Sequence, residues 1–191
     1  MDSPEEILTS IASLGRREAV LIASFRGAES SVEAAAEKLT ALVDTARALD
    51  AASIPYALIG DVAVGIHCGT PRATVGVGVA ALLSSGRGRV VAALEGAGFR
   101  KTGEFPHSVN FRHSSGEPVQ VAFDPGFDVM ILRAERFEVA GTSVRIVTRD
   151  DLLAMKERAA ADPTRRKSKR LRDQADIELL RGDVPSPDEG W

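Results

Sequence analysis

At 191 residues, with 44% hydrophobic and 27% charged residues, the chain has the make-up of a globular protein with room for one sizeable core. It has no apolar run near the roughly 20 residues of a membrane span and no basic-then-apolar leader in its opening MDSPEEILTS. A single cysteine, Cys68, excludes an internal disulfide and makes a reducing cytoplasm the expected setting, while the net charge of −3 argues against a strong general affinity for nucleic acid and leaves room for a local basic patch.

Ser3-Pro4-Glu5-Glu6 reads as a helix start, followed by Ile7, Leu8, Ile11 and Leu14 at helical spacing. A second helix is expected over 30–52, with Val32, Leu39, Leu42, Val43, Ala46 and Leu49 in its apolar stripe. Tyr56-Ala57-Leu58-Ile59 is a short buried strand, and Gly60-Asp61 opens an apolar helix from Val62 to His67. After the turn Cys68-Gly69-Thr70-Pro71, residues Thr74 to Val79 alternate valine with glycine as a strand. A helix from Gly86 to Gly98 precedes strands at Phe99–Thr102, His107–Arg112 and Val119–Phe123. Phe137–Val139 and Ser143–Ile146 flank Gly141-Thr142 as a hairpin. Thr148, with Asp151 three residues on, resembles a capping box for the next helix, and a last helix covers Thr164 to Arg181. The sum is an α+β chain: an N-terminal helical segment (1–52), a core with a small mixed sheet (53–147), C-terminal helices packed on it (148–183) and a disordered tail (184–191).

The order helix, Ile54-Pro55-Tyr56-Ala57-Leu58-Ile59-Gly60, apolar helix, Pro71-Arg72-Ala73-Thr74 and strand resembles the polymerase-β-type nucleotidyltransferase fold. More narrowly, it resembles the AbiE-type branch, which includes many toxin–antitoxin components. The likeness continues through Val144 to Lys156 and into Arg172-Asp173-Gln174-Ala175-Asp176, which matches that branch's basic-Asp-x-x-Asp ending. The resemblance implies Mg²⁺ and a nucleoside triphosphate, held by two carboxylates two residues apart on one strand and a third on its neighbour. A glycine turn at a helix N-terminus would hold the phosphates.

The corresponding positions here are Gly76, Gly78 and Gln120, and the second residue of the glycine turn is Asp61. Glycine offers no ligand, glutamine only a neutral oxygen, and Asp61 would repel a triphosphate. No catalytic carboxylate is intact, no resident metal or cofactor is expected, and Gly60, Asp61, Arg72 and Lys156 would outline a vestigial nucleotide cleft. The resemblance gives Lys156 a phosphate contact; as a bare residue it is equally a helix-surface lysine. Asp61 reads most simply as an N-cap, and Asp124-Pro125-Gly126 as a turn. Gly76 and Gly78 mark lost ligands and also permit close packing. His67 and Cys68 have no second Cys/His pair at metal spacing, and His107 and His113 read as exposed strand residues.

The run Arg165-Arg166-Lys167-Ser168-Lys169-Arg170-Leu171-Arg172 carries six positive charges, with no aromatic residue to stack a base. It reads first as a solvated helix face and second as a contact for a partner or for nucleic acid. Three functions follow in order: a catalytically degenerate nucleotidyltransferase-like protein that binds a partner protein, an enzyme that uses Asp61 and Asp124 as relocated acids, and a nucleic-acid-binding module.

Overall fold

The computed structural model describes residues 36–69, 74 and 76–184. The expected helix near the N-terminus, the tail after 184 and Arg72 lie outside the described residues. Helix α1 (Ala36–Ala51) leads into strand β1 (Tyr56–Ile59), helix α2 (Gly60–Cys68) and strand β2 (Val77–Ala81). Then come α3 (Arg87–Gly96), β3 (Arg100–Phe105), β4 (Ser108–Arg112), β5 (Pro118–Ala122) and α4 (Asp128–Arg133). The hairpin β6 (Glu135–Val139) and β7 (Thr142–Ile146) precedes α5 (Arg149–Ala161) and α6 (Lys167–Arg181).

The strands form one seven-stranded mixed sheet in the order β3-β4-β5-β2-β1-β7-β6. β2 lies antiparallel to β1 and parallel to β5, and β1 lies parallel to β7. Period-two alternation sorts the side chains. Val77, Val79, Val109, Phe111, Val119 and Val121 are buried on one face. Helices α1 and α3 pack side by side, and Arg87 at the head of α3 lies over the Phe123 ring at 5.1 Å. Leu42, Leu49, Val90 and Leu94 bring their apolar stripes into the same core. Burying such aliphatic side chains, at about 1.5–3 kcal/mol each, is the principal drive for this arrangement. Helices α2, α5 and α6 pack on one another beside the sheet.

Several boundaries move. Strand β2 begins at Val77, not Thr74, and runs on to Ala81, because Ala80 and Ala81 pair with Ala57 and Tyr56. The last helix begins at Lys167, since Asp162 holds Thr164 in a turn through its backbone N–H at 2.8 Å. Helix α4 has no counterpart among the predicted elements. His113 is buried, contrary to its reading as exposed: Asp44 of α1 lies 3.2 Å from Nε2, Ser115 Oγ lies 2.8 Å from Nδ1, and the Phe99 ring packs on it. His107 is exposed in the β3–β4 turn. No helix among the described residues is long and apolar enough to cross a membrane.

Candidate functional site

Ile59 pairs with Gly78, Gly78 with Gln120, and Gln120 with Asn110, so four neighbouring strands present one row on the face opposite the valines. Gln120 is exposed, while Asn110, Gly78 and Ile59 are half-buried. The Gln120 amide donates to Asn110 Oδ1 at 3.2 Å and to Ser108 Oγ at 3.5 Å. The row is polar and uncharged. Gly78 and Gln120 thus stand side by side, while Gly76 precedes β2.

The two glycines differ physically. A Cβ on Gly78 would lie 3.5 Å from Ile59 O, an ordinary contact. A Cβ on Gly76 would lie 2.4 Å from the Pro118 carbonyl oxygen. Gly76 is therefore required by the close approach of two backbones, whereas Gly78 leaves room for a side chain.

Gly60 begins α2 with φ of 76°, a left-handed conformation that glycine adopts without the penalty of a Cβ. Asp61 lies in the first turn of α2, and the Ncap position belongs to Ile59, so the expected cap is corrected. The Asp61 carboxylate accepts from Lys156 Nζ at 2.9 Å. Lys156 Nζ also lies 3.3 Å from Asp173 Oδ1 and 2.6 Å from Asp176 Oδ2. Lys156 is buried and not a surface lysine, as are both of its partners on α6. Arg165 Nε completes the cluster on Asp173 Oδ2 at 2.7 Å.

Burial alone would lower the Lys156 pKa, but the charges and hydrogen bonds of Asp61 and Asp176 outweigh it, and the ammonium titrates above its ordinary value. The cage joins α2, α5 and α6. At their other end Arg149 donates from Nε to Leu180 O at 2.7 Å and from Nη1 to His67 O at 3.5 Å. The partnership of Lys156 with Asp173 and Asp176 went unread in the sequence, although a signal existed. Asp173, Asp176, Ile177 and Leu180 form the buried stripe of α6, and two acids in such a stripe require a buried cation.

Asp124 accepts from Gly126 N at 2.7 Å, as a turn residue does. His67 Nε2 meets the Val147 carbonyl oxygen at 2.7 Å, and its ring packs edge-on to Phe137. Mg²⁺ and a triphosphate would need carboxylate oxygens on the open row, but Gly78, Gln120 and Asn110 supply none. Asp61 is held by a lysine, and among the described residues no group of three or more His, Cys, Asp or Glu is arranged to hold a metal ion. The described residues at the row do not fit the metal–triphosphate group.

No protein-family model and no curated protein matches the sequence. Solved structures do. ANT(2")-Ia in complex with adenylyl-2"-tobramycin superposes with a TM-score of 0.55 at 17% identity, over 77% of this chain and 91% of that one. The lincomycin-bound lincosamide antibiotic adenylyltransferase LnuA gives 0.52 at 13% identity, over 76% and 96%. An antigenic nucleotidyltransferase-like protein from Paracoccidioides brasiliensis gives 0.52 at 20% identity, over 75% of each chain. At these identities the likeness is one of architecture, and the chain has a nucleotidyltransferase-like fold.

Proposed function

We propose that the chain is a catalytically degenerate nucleotidyltransferase-like protein that acts by binding a partner protein, in a regulatory or toxin–antitoxin role. The observation that carries this reading is the uncharged row Asn110–Gln120–Gly78 on the open face of the sheet. A metal-dependent transferase needs carboxylates there to gather its ions and neutralise the developing charge. The Lys156 cage supports the same reading, because its ammonium is already shared among three carboxylates. The relocated acids find no support: Asp61 is held by Lys156 and Asp124 by its own turn.

Calorimetric titration of the full chain with ATP, CTP, GTP and UTP, with and without Mg²⁺, tests the proposal. The expected result is no Mg²⁺-dependent binding with any of the four. Tight Mg²⁺-dependent binding, or transfer of a labelled nucleotidyl group to RNA, protein or a small molecule, overturns it.

A further inference from the structure

The run Arg165–Arg172 contains six positive charges and no acid, so against a whole-chain net of −3 the remainder of the molecule is at −9. Among the described residues, Arg165 is the one cation of the run with an acidic partner, Asp173. Among the described residues, Arg166, Lys167, Lys169, Arg170 and Arg172 have no acidic partner, and the buried Nε of Arg170 has no hydrogen-bond acceptor. Several arginines elsewhere are used: Arg47 donates to Thr142, Arg89 to Ala52 O, Arg112 to Gly116 O and Arg181 to Glu157. The uncompensated charges also occupy the first two turns of α6, where the helix macrodipole disfavours cations. Mutual repulsion and the dipole thus both act against this placement, and among the described residues no ion pair offsets it for these five side chains.

The charges encircle the helix, and Arg166, Lys167, Lys169 and Arg172 are exposed. Lys169 precedes Asp173 by four residues, which sets it about 6 Å along the axis from the Lys156 cage. The collar therefore borders the helix bundle at the end where Gly60 and Asp61 meet the open row.

We propose that the collar on the first two turns of α6 is a binding surface for the phosphodiester backbone of a nucleic acid. The proposal is independent of whether the cleft is catalytically blank. Protein interfaces are enriched in arginine but depleted in lysine and anchored on aromatic residues, and 165–172 pairs its arginines with two lysines and no aromatic residue. The same lack removes base stacking, leaving phosphate contacts that are indifferent to sequence and sensitive to salt.

The test is fluorescence anisotropy of the full chain with labelled 30-nucleotide RNA and DNA of one sequence, from 50 to 300 mM salt. Binding is expected to both at 50 mM, to change little when the sequence is scrambled and to fall steeply with salt. Lys169→Gln/Arg172→Gln is expected to weaken it about tenfold or more, and Lys167→Gln/Lys169→Gln similarly, so that a folding failure in one pair leaves the other as the test. Arg100→Gln/Arg136→Gln, which removes two exposed charges elsewhere, is expected to change it less than about twofold. Absence of binding at 50 mM salt, salt-independent binding or indifference to both α6 pairs overturns the proposal. So does competition by polyglutamate as effective as that by unlabelled RNA of equal charge, which would assign the collar to an acidic protein.

Discussion

On the sheet, Asn110, Gln120 and Gly78 stand in line without a charge among them, while beside them Asp61, Asp173 and Asp176 crowd around one lysine. Grouped carboxylates repel one another unless a cation sits between them. A metal-dependent site leaves that position for an ion that arrives with substrate. In the helix cage the cation is Lys156, covalently part of the chain, so its acids are satisfied before any ligand appears. One region has space and lacks ligands; the other has ligands and lacks space. Whether a nucleotidyltransferase-like fold can gather metal ions thus depends on which of the two regions holds the acids.

The sharpest way to break the contrast is Lys156→Met, which leaves three carboxylates around a position with no ammonium. Breaking a buried charge cluster on one side costs about 3–5 kcal/mol, and urea unfolding is expected to show a loss of this size. Adding Asp61→Asn, Asp173→Asn and Asp176→Asn to the same chain is expected to recover much of it. An unchanged midpoint for Lys156→Met would mean that the cage is incidental.

Alkaline pH probes the cage without mutation. The folded-state pKa of Lys156 is raised, so its contribution is complete below the ordinary value of 10.5 and is lost as pH rises through the folded value. Tyr56, pushed up to about 12 by burial and then by Asp50, acts in the same direction between pH 10 and 12. Its share amounts to about 2–3 kcal/mol at the upper end. Unfolding free energies measured across that window are expected to fall, and Tyr56→Phe to make the fall shallower.

What the sequence made legible follows from how local each feature is. A short continuous apolar run placed β1 and period-two alternation placed the valine face, because both patterns are properties of the strand itself. The adjacency of Gly78 and Gln120 followed from the resemblance, and the β2–β5 register has it. Helix α4 has six residues, too few for a helical period to emerge. The resemblance set Asp61 and Lys156 beside one cleft, but their ion pair, closed by Asp173 and Asp176, depends on how α2, α5 and α6 pack and so stayed hidden. His113 reads as a polar strand end; its burial comes from Asp44 and Phe99, on elements distant in sequence.

The two glycines refine the blank face itself. Gly76→Ala forces a Cβ onto the Pro118 carbonyl oxygen, and the backbone shift it demands is expected to cost about 1–3 kcal/mol. Gly78→Ala meets only ordinary contacts, and gains up to about 0.5–1 kcal/mol because alanine loses less chain entropy. Equal effects from the two substitutions would remove the distinction between a packing glycine and a position with room.

Because Gly76 cannot accept a side chain without moving the backbone, restoring acids to the open row should use Gly78→Asp with Gln120→Asp alone. The register sets these residues side by side on parallel strands, whose spacing of about 4.7–4.9 Å is close enough for two carboxylates to share an ion. Without metal, their like charges should lower stability slightly. With Mn²⁺ at ten times its dissociation constant, binding should return about 1.4 kcal/mol, read as a Mn²⁺-dependent rise in melting temperature absent from the parent chain. The rise is small because two carboxylates make a poor site, and a third ligand cannot be added at Gly76 without distortion. A folded double variant that ignores Mn²⁺ would mean that the room beside Gly78 is not shaped for an ion. The missing acids would then not suffice to explain the blank face.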